Sequence, residues 1–129
     1  MKTQAFFRFR LDEASGVPVY RQIIDQVQGG IAIGTLETGH QLPTVRQVAV
    51  DLAINPNTVM RAYRELEIRG VLDTQQGTGT FIARQRRQPG DDDERVRRRE
   101  QLIDEFMARA GSGGFTLDEI LEALKKRGG

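Results

Sequence analysis

Cysteine and tryptophan are absent from this chain, and histidine occurs once. Without cysteine there is no disulfide, no thiolate nucleophile and no Cys-based zinc site. The one histidine, His40, makes no metal cluster, and its place in a loop before Leu42 marks it as structural or solvent-exposed. No apolar run approaches the length of a membrane span, and the opening MKTQAFFRFR lacks the long apolar stretch of a secretory signal. A cytoplasmic protein is expected, with no membrane contact. Apolar residues make up 38% and charged residues 29% of 129 positions, which suits a modest core and no large enclosed pocket. A strong excess of one charge is missing as well. Net charge is +1, but residues 1–88 carry 11 Lys/Arg against 8 Asp/Glu, while residues 89–129 carry 8 against 10. The mild basic excess therefore falls on the first part of the chain. Neither a nucleophile–base set nor a metal constellation is visible, so no catalytic residue, metal site or cofactor is expected.

What the chain does have is concentrated between Leu42 and Gly70, LPTVRQVAVDLAINPNTVMRAYRELEIRG. Val45, Val48, Ala49 and Leu52 recur at i, i+3, i+4, i+7, the period of one buried helix face. Val59, Ala62, Tyr63 and Leu66 repeat that spacing. Thr44 is a natural N-cap for the first helix. Asn55 followed by Pro56 is a natural start for the second, because proline at the first helical position forfeits no hydrogen bond. Gly70 closes the second helix as a C′ glycine. Two short helices joined by so tight a turn must cross steeply, which predicts a helix-turn-helix. Opposite the buried stripe of the second helix lie Asn57, Arg61 and Arg64, flanked by Thr58 and Met60. These side-chain types near a helix N-terminus read base edges or grip phosphate. The helix dipole adds positive potential there. A solvated helix face is the plainer alternative.

Phe7, Phe9 and Leu11 alternate with Arg8 and Arg10, a period-2 pattern that predicts a short half-buried strand. Pro18 opens a helix with Tyr20, Ile23, Ile24, Val27 and Ile31 on one face. Gly29 and Gly30 interrupt it, predicting either close backbone packing or a frayed second half. Gly34 to Pro43 is expected to be a loop anchored by Leu36 and Leu42. After Gly70, VLDTQQGTGTFIA predicts a β-hairpin with Gln76-Gly77-Thr78-Gly79 as its turn. A hairpin directly after a recognition helix is a wing, and this small, uncharged tip fits a minor groove. A phosphate-cradling loop fits poorly, because neither Lys nor a helix follows the glycines.

Gln85 to Gly90 is a basic linker marked by Pro and Gly, and acidic residues then open a helix to about Ala110. GSGG at 111–114 breaks it. Thr116 with Glu119 forms a capping box for a last helix, with Phe115 and Ile120 as a hydrophobic staple. The chain thus divides into a winged domain at 1–85, a linker at 86–92 and a two-helix region at 93–129. Two short helices have too little core to stand alone. Their apolar residues Ile103, Phe106, Met107, Leu117, Ile120, Leu121 and Leu124 either pack back on the winged domain or join a second copy. A two-fold homodimer is the reading preferred here. The expected fold is mainly α with a small β wing, an α+β arrangement.

GVPVYRQI at 16–23, LPTVRQVAVDL at 42–52, INPNTVMRAYRELEIRGVL at 54–72 and QQGTGTFI at 75–82 together resemble the GntR family of bacterial winged-helix transcription regulators. The short tail resembles its YtrA-like subgroup in length and helical character. The resemblance implies a homodimeric repressor binding double-stranded DNA at an inverted-repeat operator, often near transporter genes and its own promoter. It also implies DNA contacts by Arg46, by Asn55, Asn57 and Thr58, and by Gly77 at the wing tip. Other subgroups often carry a DNA-contacting arginine where this chain has Met60; here the arginine is the next residue, Arg61. The candidate DNA-binding set is Thr44, Arg46, Asn55, Asn57, Thr58, Arg61, Arg64, Gly77 and Thr78. The ligand-binding or aminotransferase-like domain of larger relatives does not fit in about 40 residues, which leaves the small-molecule effector open. A winged helix used only for protein docking is the alternative, and it would not need Arg46, Asn57 and Arg61 presented together.

Overall fold

The computed structural model describes residues 7–84 and 92–128. The chain divides into two compact units, Met1–Gln85 and Arg86–Gly129. In the first unit the helices are α1 (Val19–Ile33), α2 (Val45–Leu52) and α3 (Pro56–Ile68), and the strands are β1 (Gln41–Leu42), β2 (Leu72–Gln75) and β3 (Gly79–Ile82). The second unit holds α4 (Asp92–Ser112) and α5 (Leu117–Gly128).

The core of the first unit is the set of apolar stripes read from the sequence. Ile23, Ile24 and Val27 of α1, Val48 and Ala49 of α2, and Val59, Ala62, Tyr63 and Leu66 of α3 bury against one another. Leu36, Leu42, Val71, Leu72 and Ile82 close that core from the loop and sheet side. Burying a side chain of the Val, Leu or Ile class contributes about 1.5–3 kcal/mol, so this cluster is the main source of the unit's stability. α1 does not fray at its two glycines. Gly30 is buried, and a Cβ built there would lie 2.9 Å from Leu36 Cδ1 and 3.2 Å from Phe7 Cε1. Close packing is thus the reason for Gly30, whereas Gly29 faces open space.

Two expectations are corrected. Residues 7–12 form no strand. Phe9 is buried and Arg8 and Arg10 are exposed, so the alternation is real, but among the described residues no ladder neighbour pairs with this backbone. Side-chain amides of α1 take that place. Gln26 accepts from the Arg10 N–H and donates to the Arg10 carbonyl, while Gln22 does the same for Asp12. Gln22 also donates to the Val17 carbonyl at 2.8 Å, which accounts for a buried glutamine in an apolar stripe. The third strand comes instead from the supposed loop: Gln41 pairs with Phe81 and Leu42 with Thr80, giving the antiparallel order β1-β3-β2.

Smaller adjustments concern turns. The wing loop is Gln76 to Thr78, because Gly79 already pairs with Gln75. α4 runs to Ser112 before Gly114, at φ 85, turns the chain and Phe115 N–H reaches the Ala110 carbonyl at 2.8 Å. At the start of α5, Thr116 Oγ1 accepts from the Glu119 N–H at 3.3 Å. Of the expected linker, residues 86–91 lie outside the described residues.

Candidate nucleic-acid interface

The helix-turn-helix is assembled from local rules. Thr44 Oγ1 accepts from the Gln47 N–H at 3.1 Å, starting α2. α2 ends at Ala53, which adopts φ 55, ψ 48 and donates to the Ala49 and Val50 carbonyls. It is the one non-glycine residue at positive φ among the described residues, and the Ile54 N–H completes the turn on the Ala49 carbonyl at 3.0 Å. Asn55 then caps α3, its Oδ1 accepting from the Asn57 N–H at 2.8 Å. Pro56 follows at the first helical position. At the far end Gly70, at φ 78, lets Val71 N–H close on the Leu66 carbonyl at 2.8 Å.

α3 is locked to the beginning of α2 by one buried hydrogen bond. Tyr63 donates its hydroxyl to the Pro43 carbonyl at 2.6 Å. Burial pushes the phenol well above its usual range, so this group stays a donor. With Val59, Ala62, Tyr63 and Leu66 turned inward, Asn57, Met60, Arg61 and Arg64 are exposed and Thr58 is half-buried. Arg46 projects from α2, also exposed. Among the described residues neither Arg46 nor Arg64 is held in an ion pair. Arg61 differs: its guanidinium carbon lies 3.8 Å from the centroid of the Tyr20 ring on α1. Tyr20 belongs to the apolar stripe of α1 in the sequence reading, and nothing in the sequence links it to Arg61.

The wing has its own construction. Thr78 N–H closes on the Gln75 carbonyl at 3.0 Å, with Gly77 at φ 78 inside that turn. Gln41 of β1 donates from its side chain to the Thr78 carbonyl at 3.2 Å. Gly79 adopts φ 138, a backbone conformation that L side chains rarely take, so glycine suits this position, and its missing Cβ also leaves room for the Gln41 amide. Gln76, Gly77 and Thr78 are exposed and uncharged. Of the candidate set, Thr44 and Asn55 spend side-chain oxygens on helix caps, while Arg46, Asn57, Arg61, Arg64, Gly77 and Thr78 offer exposed surface.

In the second unit, Ile103, Phe106, Met107, Leu117, Ile120, Leu121 and Leu124 line one open groove of about 950 Å³. Phe106 is 51%, Leu117 54% and Leu124 50% exposed, so α4 and α5 do not bury these stripes on each other. Among the described residues, no three His, Cys, Asp or Glu side chains gather as a metal site, and no helix is long and apolar enough to cross a membrane.

Residues 19–82 match the model of bacterial regulatory proteins of the gntR family. The HTH-type transcriptional repressor YtrA of Bacillus subtilis is 33% identical over 117 residues, covering 91% of this chain and 89% of the relative. The chain belongs to the GntR family. It is a DNA-binding transcription regulator, and its relatives are named as regulators, not as enzymes. A transcriptional antiterminator from Listeria monocytogenes EGD-e has a similar structure, with a TM-score of 0.65 and 29% identity over 97% of this chain and 92% of that one. The AraR DNA-binding domain, solved in complex with operator ORE1, is similar at a TM-score of 0.50 and 26% identity, covering 60% of this chain and 94% of that one. This GntR chain therefore has its winged unit in a fold that has been seen on operator DNA.

Proposed function

We propose that this GntR regulator is a cytoplasmic homodimeric repressor, in which two copies of α3 read the halves of an inverted-repeat operator. The observation that carries the reading is the outward face of α3. Asn57, Arg61 and Arg64 are exposed together on one face of α3, with Asn57 in the first turn, where the N-terminal N–H groups and dipole favour phosphate. α3 enters the major groove, where Asn57, Thr58, Arg61 and Arg64 meet base edges and flanking phosphates. Arg46 contacts DNA from α2, next to Thr44 at the helix start. Gly77 and Thr78 bring an uncharged backbone corner to the minor groove, where a bulky tip would not fit. The open groove of α4 and α5 supports the two-fold: a second copy covers Ile103, Phe106, Met107, Leu117, Ile120, Leu121 and Leu124. Thr44 and Asn55 contribute through the helix starts they cap.

The test is titration of the full chain against the palindromic site it selects from random DNA, over a series of salt concentrations, with sedimentation in parallel. A dimer whose affinity falls linearly on a log–log salt plot is expected. Arg46→Ala and Arg61→Ala should each weaken operator binding by about 1–3 kcal/mol if they pair with guanine. A phosphate contact would instead lower the salt slope by about one and weaken all sequences alike. Unchanged affinity in both folded variants, or a wild-type chain without sequence preference, refutes the reading.

A further inference from the structure

The placement of Arg61 over Tyr20 suggests how a single arginine on so short a helix is aimed. A flexible guanidinium on the exposed face of α3 samples many rotamers, and selecting one on binding weakens the complex. Here its carbon sits 3.8 Å from the Tyr20 ring centroid, within the distance at which a cation is attracted to an aromatic face. A guanidinium this close over a ring centroid packs best face to face, which occupies its flat face. Its N–H donors lie in the plane, at the edge, and stay free to form the bidentate pair that matches guanine. Tyr20 is restrained in turn, because it is half-buried on α1 and packs against the core. The ring is therefore a rigid platform on one helix supporting a reading side chain on another.

We infer that Tyr20 is a specificity-determining positioning residue, stacking Arg61 so that its donor edge meets one base pair of each half-site. This rests on Arg61 reading DNA as proposed above. Met60, next to it, is 44% exposed on α3 and carries no hydrogen-bond donor, so Arg61 is the arginine this platform serves.

The experiment is a double-mutant cycle on the full chain. Wild type, Tyr20→Phe, Tyr20→Leu, Arg61→Ala and the Tyr20→Leu/Arg61→Ala pair are titrated against the selected operator. The same titrations are made on operators changed one base pair at a time. Tyr20→Phe keeps the aromatic face and should bind within about twofold of wild type. Tyr20→Leu keeps apolar volume and loses the stack. Affinity should fall about 2- to 5-fold per half-site, hence roughly 4- to 25-fold on the two-fold operator. The loss should be confined to discrimination at the base pair that Arg61→Ala also relaxes, and it should vanish in the Arg61→Ala background. An equal loss in that background, or a loss spread evenly over all operators, overturns the inference and leaves Tyr20 a packing residue. If Arg61→Ala itself binds as wild type, the reading of Arg61 fails and the platform falls with it. A measurement needing no variant stands beside these: in the free chain the Arg61 Nε–Hε resonance should be shifted upfield by the ring beneath it. A resonance at the random-coil position refutes the stacking directly.

Discussion

Adjacent glycines in α1 should respond to the same substitution with opposite signs. Both Gly29 and Gly30 lie in the interior of a 15-residue helix, where Ala is favoured over Gly by about 1 kcal/mol. At Gly29 an added Cβ meets nothing within 4 Å. Gly29→Ala should therefore be stabilising by about 0.5–1 kcal/mol, the helix term alone. At Gly30 the same methyl meets Leu36 Cδ1 at 2.9 Å, Leu36 Cγ at 3.1 Å and Phe7 Cε1 at 3.2 Å. Leu36 cannot swing aside, because it is 2% exposed and enclosed by the core. Overpacking of this kind costs about 1–3 kcal/mol, which outweighs the helix term and leaves Gly30→Ala destabilised by up to about 2 kcal/mol. The chain offers a selective probe. It has no Trp, and its two tyrosines, Tyr20 and Tyr63, both lie in the winged unit. Tyrosine fluorescence during urea or thermal unfolding thus follows that unit and not the tail. One kcal/mol corresponds to about 4–8 °C in a domain of this size, so a gap of several degrees between the two variants is expected. Equal shifts of the same sign would show that Leu36 and Phe7 yield freely, and the packing argument would be wrong.

Three further outcomes are expected. Tyr63→Phe strands the buried Pro43 carbonyl and should lower stability by about 1–3 kcal/mol by the same fluorescence assay, with DNA affinity falling only as the helix-turn-helix loosens. Gly77→Leu should be destabilising by about 1–2 kcal/mol, because its φ of 78 is a left-handed conformation, whereas Gly77→Asn tolerates that backbone; comparing the two in DNA titrations separates the strain from the bulk at the wing tip. Phe106→Asp with Leu121→Asp should give a folded winged unit that sediments as a monomer and binds DNA at roughly the non-specific level of 10⁻⁴–10⁻⁶ M; a dimer in sedimentation would place the two-fold contact elsewhere.

The parts legible in the sequence are those governed by local chemistry. Thr44, Asn55 and Thr116 were readable as caps because a short polar side chain can satisfy an end N–H only from that position. The stripes of α1, α2 and α3 were readable because a period near 3.6 leaves few alternatives. What escaped is set by partners distant in sequence. The alternation at 7–11 suggested a strand, yet the amides of Gln22 and Gln26 take the place of a neighbouring chain. β1 spans only Gln41–Leu42, too short for any period to register, and it exists because β3 offers an edge. The spacing of Tyr20 places it with the core. Its apolar body does pack there, while its ring face serves Arg61, a dual use that spacing cannot express.

The division into two units bears on how so little reading surface can be specific. One winged unit presents a 13-residue helix and a hairpin whose exposed tip is Gln76 to Thr78. A protomer with a few base contacts, each discriminating by about 1–3 kcal/mol, cannot outcompete a genome's excess of non-specific sites. In the proposed dimer every contact occurs twice, so a tenfold discrimination per half-site becomes about a hundredfold on the operator. Joining the two domains also adds roughly 10²–10⁴ in affinity when the spacing suits both. The tail then needs no base-reading residue of its own. Its requirement is an apolar face left open by its own fold, and Phe106, Leu117, Leu121 and Leu124, each at least 44% exposed, are such a face. In that proposed dimer, specificity at the bases is multiplied by hydrophobic area in a unit that need never touch them.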